Sequence, residues 1–190
     1  MADPINNTTI DLKQFCAAEG KGFHLDNPFS RASYTWATDG NIMLRVPLRA
    51  DVGEVEGAPH AERVWSDATG PFTPVRPFNL PDPQRVRCDG CEGRCTAHDC
   101  PDCGCMCEKC DGAGFVEEAA VVSIGEGRTM SRQYAEAIMT LPCLEVELID
   151  PSSERLHFRF DGGDGIVMLM RPGYRRAIIA DLLKGATCDA

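Results

Sequence analysis

Asp39-Gly40-Asn41-Ile42-Met43-Leu44-Arg45-Val46-Pro47 returns later in the chain as Asp164-Gly165-Ile166-Val167-Met168-Leu169-Met170-Arg171-Pro172, identical at five of nine positions without a gap. In the first copy Asp39-Gly40 reads as a hairpin turn, because glycine tolerates the positive φ such turns need. The residues on either side, Ser33 to Thr38 and Ile42 to Val46, read as its strands. Upstream, residues 8–17 predict a short helix capped at Thr8 or Thr9 and stopped by Gly20 and Gly22, with Ile10, Leu12, Phe15 and Cys16 on its apolar side.

The second copy closes a similar series. Ala119 to Ile124 predicts a strand. Ser131 caps a helix whose Tyr134, Ile138 and Leu141 fall at i, i+4 and i+7 before Pro142. Leu144, Val146 and Leu148 alternate, Asp150-Pro151-Ser152-Ser153 turns the chain, and Leu156, Phe158 and Phe160 alternate again. Residues 161–165 form a further turn, and Ile166 to Met170 is a continuous apolar run suited to a covered strand. A last amphipathic helix is expected over 174–184, with Ile178, Ile179, Leu182 and Leu183 inside and Gly185 at its stop.

Two helix-plus-strands halves therefore flank a long interruption, and the expected fold class is α+β. The divisions are a first half over 1–48, a Pro-rich connector over 49–85, a Cys-rich insertion over 86–116, a second half over 117–173, and a C-terminal helix and tail over 174–190. In the connector periodicity disappears while Pro59, Pro71, Pro74, Pro77, Pro81 and Pro83 accumulate. Trp65, Phe72 and Phe78 are spaced through it as anchors, so it is expected to lie against a surface without regular structure.

The chain has 190 residues, 43% hydrophobic and 25% charged, enough for an ordinary core. Its 29 acidic against 19 basic side chains give a formal charge of -10, which excludes attachment to nucleic acid by bulk charge. No apolar run reaches the roughly 18 to 20 residues of a membrane span, and Met1 to Leu12 lacks a basic start and apolar middle, so a cytoplasmic location is expected.

Eight of the eleven cysteines lie between Cys88 and Cys110. In a reducing compartment, clustered CxxC pairs read as thiolate ligands for zinc, since one turn offers both sulfurs to one tetrahedral ion. Cys16, Cys143 and Cys188 stand alone and read as packing residues. Between the outer pairs, Cys95, His98, Cys100, Cys103 and Cys105 are enough for a second tetrahedral site. Cys100 and Cys103 form its best knuckle, completed by Cys95 with Cys105, or by His98 in place of either. Four thiolates leave no open position for water, so one or two structural ions are expected. Residues 85–111 carry Arg85, Arg87, Arg94 and Lys109 against Asp89, Glu92, Asp99, Asp102, Glu108 and Asp111 and contain no aromatic residue, which favours protein contact or simple stapling over nucleic-acid binding. No hydrolytic, redox or phosphate-binding motif stands out; Gly162-Gly163-Asp164-Gly165 is a turn in a strand context with no following helix. The chain is expected not to be an enzyme.

Two resemblances extend these readings. Tyr34-Thr35-Trp36-Ala37-Thr38-Asp39-Gly40 resembles the "ATDG" strand turn of bacterial-type DNA polymerase sliding clamps, and 130–171 is similar to the last module of those clamps, which ends in a "VMPMR"-like strand. Leu169 stands where that family has proline, and one module is present where the family's rings contain six. The resemblance implies one clamp-like module that self-assembles as a homo-oligomer around DNA and docks protein partners in replication or repair. It places helices 11–18 and 131–141 toward the DNA, with Lys13 and Arg132 as their only cations, and puts Met168 and Met170 beside a partner pocket. The alternative is a zinc-dependent interaction or chaperone-like adaptor that does not encircle DNA. Cys88-Asp89-Gly90-Cys91-Glu92-Gly93-Arg94-Cys95 and Cys107-Glu108-Lys109-Cys110-Asp111-Gly112-Ala113-Gly114 resemble the CxxCxGxG zinc repeats of J-domain cochaperones, and that likeness implies Cys88, Cys91, Cys107 and Cys110 on one ion.

Overall fold

A computed structural model describes residues 10–20, 25–65, 68, 70–76, 78–80, 85–95, 105–117, 120–125, 127–147, 154–170 and 177–183. In chain order the strands are β1 (Phe29–Arg31), β2 (Tyr34–Thr38), β3 (Ile42–Pro47), β4 (Phe72–Pro74), β5 (Arg85–Arg87), β6 (Phe115–Glu117), β7 (Ala120–Ser123), β8 (Thr129–Ser131), β9 (Glu145–Glu147), β10 (Arg155–Phe160), β11 (Gly163–Met168) and β12 (Ala177–Asp181). The helices among the described residues are a one-turn 3-10 segment (Leu12–Phe15), α1 (Ala61–Val64) and α2 (Arg132–Met139).

This corrects the α+β, clamp-like expectation: the chain is mostly β. Seven strands form one antiparallel sheet in the order β1-β2-β3-β11-β10-β9-β4. A three-stranded sheet has the order β12-β7-β8, and β5 pairs with β6 in the Cys-rich arm. The helix expected over 8–17 reduces to four residues capped by Asp11, whose carboxylate accepts the Lys13 amide at 3.0 Å; the proposed caps Thr8 and Thr9 lie outside the described residues. The helix expected over 174–184 is replaced, over its described part, by β12, which pairs parallel to β7. Its apolar spacing suits either period, and the open edge of β7 supplies hydrogen-bond partners that a helix there would leave unpaired.

The hairpin at Asp39-Gly40 forms as expected. Gly40 has φ +96°, and the Asp39 carboxylate accepts the Asn41 amide at 2.8 Å and the Ile42 amide at 3.0 Å. Ser131 does stand at the start of α2, though it makes no side-chain cap. In the second half the turn is Asp161-Gly162, and Asp164-Gly165 lies inside β11. The nine-residue match therefore does not superpose the two hairpins. The first closes on Asp39 and Ile42, the second on Phe160 and Gly163. What the match does mark is a meeting place. β3 and β11 pair antiparallel at the centre of the large sheet, with Ile42 opposite Val167 and Leu44 opposite Gly165. β2 and β1 of the first half continue the sheet on one side of that pair, and β10 and β9 of the second half, followed by β4 of the connector, continue it on the other.

One face of the sheet carries the main core. Ile42, Leu44, Val146, Leu156, Phe158 and Val167 pack there under Ala135 and Ile138 of α2 and Leu12 and Phe15 of the 3-10 turn, all buried. Phe158 lies across Gly165, where any Cβ would overlap its ring. The second sheet closes the same core through Val122, Met130 and the buried Leu182. The opposite face holds a smaller cluster of Phe29, Trp36, Ala58 and Ala61, with Trp65 packed against it. The connector thus does lie against the sheet, as expected from its aromatics, but it also forms α1 and the edge strand β4. Trp65 meets Trp36 edge to face at 5.4 Å.

Candidate metal centre

The Cys-rich arm is anchored by the β5–β6 ladder, in which Arg85, Val86 and Arg87 pair with Glu117, Val116 and Phe115. Directly beyond it come two knuckles of the same shape. After Cys91, Glu92 and Gly93 have φ +51° and +78°; after Cys110, Asp111 and Gly112 have φ +47° and +73°. Paired left-handed residues reverse the chain tightly enough to turn successive amides inward, which is why glycine stands second in each pair. The Arg94 amide donates to the Cys91 carbonyl at 2.9 Å, as the Ala113 amide does to that of Cys110 at 2.8 Å. The knuckles are also cross-tied: the Cys88 amide donates to the Gly114 carbonyl at 2.9 Å, and the Cys107 amide to the Cys95 carbonyl at 3.1 Å.

This arrangement brings together the Sγ atoms of Cys88, Cys91, Cys107 and Cys110, all within 4.8 Å of one another and all buried. Cys88 and Cys107 are 3.8 Å apart, Cys91 and Cys110 3.7 Å. Those separations are far too long for disulfides. They match the edge of about 3.8 Å that four thiolates describe around an ion at about 2.3 Å. The four side chains can hold a metal ion, with dimensions compatible with structural zinc.

The backbone adds charge stabilisation that packing alone does not require. The Gly114 amide donates to the Cys110 sulfur at 3.2 Å. Burial raises the Cys91 thiol, but the amides of Cys95 and Gly93 and the neighbouring Cys110 and Cys88 sulfurs outweigh it and bring Cys91 down to about 7. Burial and the nearby sulfurs push Cys110 up to about 12. The inward amides thus favour a thiolate within the cluster, the form that binds a cation.

Of the other predicted ligands, Cys95 and Cys105 lie outside the cluster, and His98, Cys100 and Cys103 lie outside the described residues. Cys95 has a different part. It occupies the position equivalent to Gly114, with φ +68° against +76°, and its carbonyl and amide serve the opposite and the adjacent knuckle. A Cβ at Gly114 would come within 2.9 Å of the Cys95 sulfur and the Gly93 carbonyl, so one of the paired positions must be glycine. The signal was present in the CxxCxGx pattern, where Cys95 and Gly114 align.

No protein-family model, curated protein or solved structure matches this chain.

The residues assigned to DNA are already engaged. The Lys13 ammonium donates to the Asp26 carbonyl and, at 2.7 Å, to the Asn27 side chain. Arg132 pairs with Glu136 one turn along α2 at 2.7 Å. Met170 bridges the two sheets, its amide donating to the Thr129 carbonyl at 2.9 Å. Met168, at the end of β11, lines an apolar cleft. Among the described residues, no helix is long and apolar enough to cross a membrane.

Proposed function

We propose that the protein is a non-enzymatic interaction adaptor whose Cys-rich arm is held in shape by one structural zinc ion on Cys88, Cys91, Cys107 and Cys110, working in a reducing compartment such as the cytoplasm. The observation that carries this reading is the buried four-sulfur cluster, all within 4.8 Å, with two of its edges at the tetrahedral length. A closed set of four thiolates supplies no site for substrate or water, so the ion's contribution is to order the chain around it. Among its described residues the arm has little core of its own: the buried cluster there consists of the four cysteines, with Val116 partly buried against them. Without the ion, so few apolar contacts would leave the knuckles weakly ordered.

Two observations favour protein contact over DNA encirclement. Met106 and Phe115 on the arm expose 69% and 53% of their surface, among the most exposed large apolar side chains described. Lys13 and Arg132, the cations that a DNA-facing role would use, are engaged within the chain. The test is twofold. Hydrogen exchange of the chelator-treated protein is expected to accelerate in 85–95 and 105–117 while β3 and β11 stay protected. An electrophoretic shift of primed or circular DNA at low salt is expected to be absent; a clear shift would overturn the adaptor reading.

A further inference from the structure

Opposite the main core, a compact cleft of about 280 Å³ opens over the central strand pair. Its floor is Met43, Ile166 and Met168, where Met43 and Ile166 stand directly opposite each other across β3 and β11. Its walls come from Leu25 before β1, from Pro59 and Val64 at the two ends of α1, and from Thr38, Gly40 and Asn41 at the β2–β3 turn. The connector covers the neighbouring part of this sheet face through Ala58, Ala61 and Trp65, and the cleft begins where that cover stops. Among the described lining residues the one ionic side chain is Arg155, which stands opposite Met168 and donates to the Val64 carbonyl at 3.1 Å.

We propose that this cleft is a binding site for a small apolar carboxylate, its hydrocarbon part on the Met43–Ile166–Met168 floor and its carboxylate at the Arg155 guanidinium. Three features select that class. The lining is almost wholly apolar, as in sites that take hydrocarbon groups, with a single charged group to fix orientation. The two methionines give an unbranched, polarizable surface that adapts to differently shaped chains. The guanidinium at the lining matches a carboxylate and no other common charged end group of a small lipid-like acid except phosphate. A compact cleft of about 280 Å³ suits a short acyl or aryl chain better than an extended peptide, which would need a continuous groove. The site is independent of the metal centre, which lies in the separate β5–β6 arm.

The test uses the full metal-loaded chain and titrates octanoate, octanol and octyl phosphate by calorimetry and by amide chemical shifts. Octanoate is expected to bind saturably, one per chain, with shifts in β3 and β11, and at least about tenfold more tightly than octanol, the difference a charge-assisted contact supplies. Arg155→Gln should bring octanoate down to the octanol level and leave octanol unchanged. Met168→Trp, which fills the cleft, should remove both. Three results would overturn the proposal: octanoate no tighter than octanol, octanoate binding untouched by Arg155→Gln, or saturable binding that survives Met168→Trp. Preference for octyl phosphate over octanoate would also overturn it, as to ligand class. If Met168→Trp fails to fold, the Arg155→Gln comparison decides alone.

Discussion

Arg45 and Asp164, from the two halves of the chain, face each other across the central strand pair and form a two-armed ion pair, Nε to Oδ1 at 2.8 Å and Nη2 to Oδ2 at 2.9 Å. The same guanidinium lies 4.0 Å from the Trp65 ring and 4.6 Å from the Tyr34 ring. One side chain thus links β3, β11 and the connector. Arg45→Lys keeps the charge but loses the fork and the flat stacking surface, so a loss of about 1–2 kcal/mol is expected in urea unfolding. Asp164 is more than a third exposed, so Asp164→Asn should cost about 1 kcal/mol or less. In a double-mutant cycle the two should be non-additive.

Gly165 sits opposite Leu44 with the Phe158 ring over it. Gly165→Ala must displace that ring from a core already filled by Ile138 and Leu156, and is expected to destabilise by about 1–3 kcal/mol. The same substitution at Gly20, where an added Cβ meets nothing, tests strain alone, since that residue has φ +82°.

Residues 177–183 give the sharpest contrast between two secondary structures. As a strand that, among the described residues, pairs only with β7, β12 should protect alternate amides from exchange, interrupted at the bulge between Ile178 and Ala180; a helix would protect consecutive ones. The Leu182 amide, which donates to the Ser123 carbonyl at 2.7 Å, should be among the slow ones. Residue-resolved hydrogen exchange reads this directly.

The contrast also explains what could be read before the fold was known. Asp39-Gly40 carries its own turn chemistry, and the alternation of Leu156, Phe158 and Phe160 carries its own period, so β2, β3 and β10 were legible. The outer cysteines were legible because CxxC spacing is local geometry. Ile178, Ile179, Leu182 and Leu183 fit a helix as well as a strand, and only the waiting edge of β7, more than fifty residues away by the Ser123 to Asp181 pairing, decides between them. The register of the repeat failed for a related reason: strand-on-strand matching says which stretches are alike, but the turn at Asp161-Gly162 sets where the second hairpin closes. Arg45 gave no sign of its partners, because Trp65 and Asp164 reach it only through tertiary structure.

Cys16 adds a pH dependence. Burial raises its thiol to about 11 from an ordinary 9.0, against the lowering effect of its hydrogen bond with Thr38 and of Lys13. A folded-state pKa above the unfolded value means stability that is fully present below about pH 9 and is lost as the pH rises through about 11. Urea midpoints should therefore fall across that window. Cys16→Ala should flatten the fall, and at pH 8 Cys16 should alkylate more slowly than the exposed Cys105 and Cys143.

The metal centre can be examined most directly by X-ray absorption at the zinc edge on protein purified without added chelator. One ion per chain with four sulfur neighbours at about 2.3 Å is expected, and Cys107→Ser should replace one of them or empty the site. Nitrogen or oxygen neighbours in the native chain, or protein that folds its arm with no metal bound, would contradict the account.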